Sequence, residues 1–259
     1  MKTPPRTVRT IDKAGNIRQR LADQNTSALE TYRALTCGKT AFSRFVTYEL
    51  LTALLGPLPG GAGFLLRKLF YPRLFGAFGR GVIIGRNVTF RHTARIRIGD
   101  HVTIDDNCVV DGRGAGPAGL VLEERVLVNR NCMLLAKNGP IRLGRRTSLG
   151  SNSVVVSMDG VETGEAVLTA GGCYLSAGAY RFDGPGAVMD QEVYTSGPIR
   201  IGSGAWLGTR VTVLDGVRIG EGAVVGACAM VNSDIPDRAI AVGIPARVVR
   251  MRDAAGRAT

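Results

Sequence analysis

His92 and His101 are the only two imidazoles in this 259-residue chain. Imidazole is the side chain best matched to taking a proton near neutral pH, so base chemistry here has few places to start. The five cysteines, Cys37, Cys108, Cys132, Cys173 and Cys228, are odd in number and contain no C-x-x-C pair. No Cys/His group has the spacing of a metal site, and no metal is expected. Chemistry in this chain therefore has to come from side chains that the elements around them place with care.

Those elements announce themselves as a six-residue beat. Ile201-Gly-Ser-Gly-Ala-Trp206 is followed by Leu207, Val213, Ile219, Val225 and Val231, an aliphatic residue at every sixth position with a small residue usually behind it. A fixed short period marks stacked units that bury an apolar side only against their neighbours. Each hexapeptide reads as one flat side of a β-solenoid coil, with glycine easing the corner. The same beat runs earlier through Ile84, Phe90 and Ile96, then Ile98, Ile104 and Val110, and on to Leu175, with Thr169 as a polar exception. Three beats make a coil, which predicts a mainly β fold of about seven coils. Cys108, Cys132 and Cys173 fall four residues after an inward position, a slot for small core filler in a reducing compartment. Residues 112–119 and 183–198 break the beat with glycine, proline and polar residues and read as loops leaving the corners, where sites tend to gather.

Charge divides the chain. Residues 1–80 hold 13 Lys and Arg against 4 Asp and Glu, and the remainder is nearly balanced at 20 against 17. Residues 1–80 read as a basic arm with short helices, and residues 81–259 as the solenoid domain with its long loop and a C-terminal tail. Residues 1–24 are polar, basic and expected to be poorly ordered. Ser27-Ala-Leu-Glu30 forms a capping box and predicts a helix toward Leu35. A second helix is predicted over 42–55, a breaker run over 56–63, and a third apolar segment over 64–78. Residues 50–66 carry no charge, but two prolines and four glycines argue against a membrane span. Two readings stay open for 41–78: a cap on the open end of the solenoid, or a peripheral, interfacial hairpin on anionic lipid. No apolar stretch directly follows Met1-Lys-Thr-Pro-Pro-Arg6, so the expected location is the cytoplasm, with contact to the inner membrane face left open. The basic arm offers no nucleic-acid motif and no stacking platform, and no nucleic-acid partner is expected.

The tandem Ile-Gly-x-x-Val hexapeptides, the segment Ile201–Gly208 and the element Gly243-Ile-Pro-Ala-Arg247 resemble the hexapeptide-repeat acyltransferases, nearest to sugar and polysaccharide O-acetyltransferases and streptogramin acetyltransferases. The resemblance covers about residues 82–252. It implies a left-handed parallel β-helix, a homotrimer, and acyl-CoA, most simply acetyl-CoA, as a co-substrate held between subunits. The acceptor it implies is a hydroxyl on a sugar, glycan or small natural product. By position, backbone at Gly208, Thr209 and Ala227 would line the pantetheine channel and Trp206 would wall it. Gly243, Ile244 and Pro245 would sit by the adenine, and Arg247, with Arg250 and Arg252, would meet phosphate.

One departure matters most. The resembling enzymes place a catalytic histidine five residues after an inward aliphatic, before the long loop. This chain reads Leu175-Ser-Ala-Gly-Ala-Tyr180-Arg-Phe-Asp-Gly184, with Tyr180 at that position. A free tyrosine, with pKa ~10, is about one part in a thousand phenolate at neutral pH. Asp183, three residues on, is a second candidate, either as a proton acceptor or as a loop-starting residue. His92 and His101 lie coils away, roughly 15–20 Å at strand spacing. A catalytically silent trimeric binding or scaffold protein of the same fold is the alternative reading.

Overall fold

The computed structural model describes residues 9–10, 27–38, 40–182, 184–188, 191 and 193–252. Its body is a parallel β-solenoid whose short strands stack in register into three faces. Face I has seven strands, from Ala77–Phe78 to Arg218–Ile219. Face II begins at Ile83–Ile84 and face III, of seven strands, at Thr89–Arg91. The chain passes I, II, III and returns to I, one strand per face per coil, so neighbours in each face are successive coils. The solenoid of about seven turns is thus the architecture that the beat predicts.

The reason is visible in the burial. Phe90, Ile96, Ile104, Val110, Leu134, Val155, Leu175, Val213 and Val231 are all at most 1% exposed. Each fully buried aliphatic side chain contributes roughly 1.5–3 kcal/mol, and the period-six repeat delivers one to every face of every coil. Thr169 keeps its inward place because its Oγ1 accepts a hydrogen bond from the Gly150 N–H at 3.1 Å. Cys108, Cys132 and Cys173 are buried, their thiols facing the carbonyls of Asn129 at 3.0 Å, Gly150 at 3.1 Å and Gly208 at 3.3 Å. They fill space in the core, as their slots require.

Three helices precede the solenoid: α1 (Ala28–Thr36), α2 (Phe42–Leu55) and α3 (Gly60–Phe70). The capping box forms as read: Ser27 Oγ accepts from the Glu30 N–H while the Glu30 carboxylate accepts from the Ser27 N–H. The predicted breaker run is partly wrong, because α3 starts inside it at Gly60. Pro59, in extended conformation, begins the helix, and Gly63 lets the helix close on itself. A Cβ at Gly63 would lie 2.0 Å from the Leu58 carbonyl oxygen and 2.9 Å from Arg67 Nη1. A 3-10 turn, Tyr71–Leu74, leads into face I, so the third apolar segment is not one helix.

The inner sides of these helices cover the first coil. Tyr48 donates its hydroxyl hydrogen to the Phe90 carbonyl. Arg67 donates to Ile84 O at 3.0 Å and to Leu55 O and Leu58 O at 2.8 Å each. Tyr71 and Phe75 pack edge-on against Phe90. His92 is part of the same joint: its Nε2 lies 2.9 Å from Ala34 O and its N–H donates to Thr36 O at 2.7 Å.

Burial holds the His92 imidazole below its ordinary value near 6.5. The unfolded chain therefore binds a proton more readily than the folded one, and this contribution is complete above that value and lost as pH falls through the lower folded value. Asp111 partly offsets the effect, and Arg95 and Arg113 add to it. The protection factors of α1 amides are therefore expected to fall as pH drops below about 6.5, and this fall should vanish in His92→Gln.

At the N-terminus, residues 1–24 lie outside the described residues except for Arg9–Thr10. That segment is a short strand paired antiparallel with Val193–Thr195. Near the C-terminus, Arg247–Met251 folds back antiparallel on Ala239–Val242, extending face II.

Candidate active site

Three ridges separate the three faces, and the predicted site residues sit on two of them. On the ridge from face II to face III, Gly208 and Thr209 follow Trp206–Leu207, and Gly226 and Ala227 follow Val224–Val225 one coil later. The two corners are hydrogen-bonded: Gly208 N–H donates to Val225 O, and Cys228 N–H donates to Thr209 O, both at 2.8 Å. Gly208 has to be glycine, since a Cβ there would meet Ala227 N at 2.7 Å. Gly243 closes the next level, its carbonyl accepting from Met230 N–H at 3.1 Å, with Ile244 73% exposed and a cis bond into Pro245. Gly208, Thr209, Ala227, Gly243, Ile244 and Pro245 therefore form one continuous ridge.

Gly226 and Cys228 belong to this ridge although the sequence reading did not single them out. The signal was present in the coil repeat, which carries the Gly208 corner onto Gly226. Cys228 is the one exposed cysteine of the five, and its φ of 60° marks the tight corner.

Trp206 lies on face II beside the ridge, in register with Leu168 and Val224, and is 48% exposed. Ile83, Leu127 and Leu168 stand outward in the same column. Packing under the long loop does not account for Trp206, because that loop leaves from a different ridge. Arg247 starts the returning strand and donates from Nη1 to its neighbour's carbonyl, Ala246 O, at 2.9 Å. Arg252 is committed elsewhere, with Nη1 donating to Gly222 O at 2.7 Å.

Tyr180 is on the ridge from face III to face I, half-exposed, in the short strand Ala179–Tyr180. That strand pairs antiparallel with Val193–Thr195, Tyr180 opposite Val193. The segment read as a loop from 183 to 198 thus contains a strand, and with Arg9–Thr10 it makes a three-stranded sheet beside the solenoid. Asp183 lies outside the described residues. The hairpin has a physical origin: Gly178, at φ 136°, turns the chain off face III, and a Cβ there would strike Met158.

Face III itself lies between Tyr180 and the Gly208 ridge, and Trp206 faces out of face II on the far side. Within one chain Tyr180 and Trp206 lie on different sides of the solenoid. His92 shares the Tyr180 ridge but sits in the first coil, four strands away in face III, or roughly 19 Å at strand spacing. Its ring is held by Ala34. Among the described residues no group of three His, Cys, Asp or Glu side chains is arranged to hold a metal.

A stack of hexapeptide coils with glycine corners and an exposed tryptophan beside them defines a hexapeptide-repeat solenoid. Family comparison agrees: the bacterial transferase hexapeptide (six repeats) matches residues 198–233, and the hexapeptide repeat of succinyl-transferase matches residues 140–177. Hexapeptide-repeat segments of these two families therefore occupy residues 140–177 and 198–233 of the chain.

Among curated proteins, a probable acetyltransferase of Mycobacterium tuberculosis, Rv3034c, is 37% identical over 117 residues, 45% of this chain and 39% of that protein. The galactoside O-acetyltransferase of Escherichia coli is 34% identical over 115 residues, 42% of this chain and 53% of that one. The chain thus spans about half the length, or less, of these relatives. Among solved structures, a maltose O-acetyltransferase from Clostridium difficile 630 aligns at a TM-score of 0.45 and 20% identity, covering 81% of this chain and 86% of that one. AntD, an N-acyltransferase from Bacillus cereus in complex with dTDP and 3-hydroxybutyryl-CoA, aligns at 0.46 and 21%, covering 72% and 88%.

Proposed function

We propose that this protein is an acyltransferase that moves an acyl group, most simply acetyl, from acyl-CoA to a hydroxyl of a sugar, glycan or small natural product. The observation that supports it most is the ridge on which Thr209, Ala227 and Gly243 are exposed next to buried Gly208, beside the exposed Trp206. Backbone amides at such corners suit the two amides of pantetheine, and an aromatic wall excludes water from a thioester. The named relatives add weight, since those matching the solenoid are called acetyltransferases.

A site that uses both Tyr180 and Trp206 needs two copies of the chain, because one copy holds them on different sides. The proposed assembly is a homotrimer. Faces II and III carry outward apolar side chains, among them Leu168, Trp206, Met133 and Tyr174, whereas face I presents Arg97, Arg142, Glu162, Arg200 and Arg218. The apolar faces are the ones that gain by contact. In the shared cleft Tyr180 would act as a relay. The acceptor oxygen attacks the thioester carbon and its proton passes to the phenol oxygen, while the phenol's own proton goes to the departing CoA sulfur. A hydroxyl both donates and accepts, so the step needs no phenolate. Alignment of the two reactants lowers the barrier further, by up to about 7–11 kcal/mol.

Trp206→Ala should weaken acetyl-CoA binding by about 10-fold or more, measured by titration calorimetry. The tryptophan is half-exposed in the single chain, so the fold, read by circular dichroism, should be unchanged. If the wild-type chain binds no CoA thioester, the acyl-transfer reading falls. One observation favours a second reading, a catalytically silent trimeric binding protein: the tyrosine at position 180. Turnover by the wild-type chain would end that alternative.

A further inference from the structure

The helical cap accounts for only one side of its helices. Tyr48, Arg67, Tyr71 and Leu74 face the solenoid and are buried. The opposite side carries Phe42, Val46, Leu50 and Leu54 at four-residue spacing on α2, and Leu65 and Leu69 at the same spacing on α3. These six are 36–63% exposed. Among the described residues no helix is long and apolar enough to cross a membrane.

The charge around this surface is one-sided. Residues 42–74, from the start of α2 to the end of the 3-10 turn, hold four cations, Arg44, Arg67, Lys68 and Arg73, against one acid, Glu49, whose carboxylate accepts from the Tyr32 hydroxyl at 3.0 Å. Lys68 and Arg73 are both exposed and lie beside the apolar side chains. The Lys68 ammonium stands 5.8 Å from the Phe64 ring, and Arg73 stands 5.6 Å from the Phe70 ring while donating to Leu69 O at 3.1 Å. Apolar side chains bordered by cations fit an interface that is apolar beneath and anionic at its surface.

We infer that the outer side of α2 and α3 docks the protein on an anionic lipid bilayer, lying in the headgroup region without crossing it. The inference does not rest on acyl transfer. It assigns the paired helices two functions on two sides: a lid on the first coil and a foot on the membrane. The solenoid is thereby held with its first coil toward the lipid.

The test is vesicle flotation of the purified full chain. Vesicles of phosphatidylcholine alone are compared with vesicles holding roughly one-third phosphatidylglycerol, an anionic fraction high enough to attract a basic surface. The protein should float with the anionic vesicles and remain below with the neutral ones. Lys68→Glu with Arg73→Glu should lower the floated fraction by about 10-fold or more at low salt. Leu54→Glu with Leu69→Glu should abolish it, with circular dichroism and thermal midpoint unchanged because both leucines already face water.

Wild-type chain that stays below anionic vesicles would overturn the proposal, as would leucine variants that float like wild type. Light scattering supplies the remaining outcome. A larger oligomer that the leucine variants dissolve, together with absent flotation, would assign this surface to a second copy of the chain and reject the lipid.

Discussion

Tyr180→Phe should lower kcat for acyl-CoA-dependent acylation by about 10²–10⁴-fold, the usual worth of a positioned proton-transfer group. The KM for the donor should stay near the wild-type value, because the proposed donor contacts lie on the other ridge, at Trp206, Gly208 and Ala227. A fall in kcat with KM unchanged is the signature of an interaction made only in the transition state. Steady-state kinetics with acetyl-CoA over a panel of sugar and small-molecule acceptors would measure it. The substitution removes one oxygen from a half-exposed side chain, so folding should be unaffected. Equal kcat in the two proteins would remove Tyr180 from the mechanism.

Tyr180→His complements this experiment. An imidazole at that place is expected to sustain turnover and to add an inflection to the pH–rate profile near its ordinary range, about 6.5. The wild-type profile should lack that inflection if the phenol relays protons without ionising. Activity in Tyr180→His together with a silent wild type would support the binding-protein reading instead.

Arg67→Met should cost roughly 3 kcal/mol or more of local stability, the second large effect expected. The guanidinium is 4% exposed and donates to three carbonyls, Ile84 in the first strand of face II, Leu55 at the end of α2 and Leu58 in the turn that follows it. Methionine fills much of the volume but leaves one buried acceptor, Ile84 O, and two part-buried ones without a donor, at about 1–3 kcal/mol each before water or rearrangement recovers some of it. The loss should appear at one end only. A solenoid is bound by nearest-neighbour interfaces, so a weakened cap frays from its own end. Hydrogen exchange should quicken in α3 and around Ile83–Ile84 and stay slow near Val213 and Val225. Uniform acceleration along all coils would refute the assignment of Arg67 as a local clasp.

Much of the solenoid was legible because its rule is local. A side chain at every sixth position must point inward when each face is one short strand, and this places Phe90, Leu134, Leu175 and Val213 in the core without knowledge of anything distant. The capping box at Ser27 and Glu30 is equally local. The start of α3 was not. Gly60, Gly61 and Gly63 read as chain breakers, and at Gly63 the helix needs glycine because the Leu58 carbonyl and the Arg67 side chain approach it closely, a contact that no propensity encodes. The strand Val193–Thr195 escaped for the same reason. Its partners are Ala179–Tyr180, across the glycine- and proline-rich segment, and Arg9–Thr10, near the other end of the chain, and neither pairing has a periodic trace.

The candidate site divides along the same line. Its residues were readable from type and register: a tryptophan before a glycine corner, a tyrosine five places after Leu175, a Gly-Ile-Pro turn near the end. Their mutual arrangement was not. Only the winding of the chain decides that Tyr180 stands on a different ridge from Gly208, Ala227 and Gly243, with face III between them. The sequence by itself determined the repeat, the buried column and the candidate chemistry, because each follows from neighbours a few residues apart. The tertiary structure alone decided that this chemistry is split across the prism, because which ridge a corner joins depends on the accumulated turns and loop insertions of every coil before it.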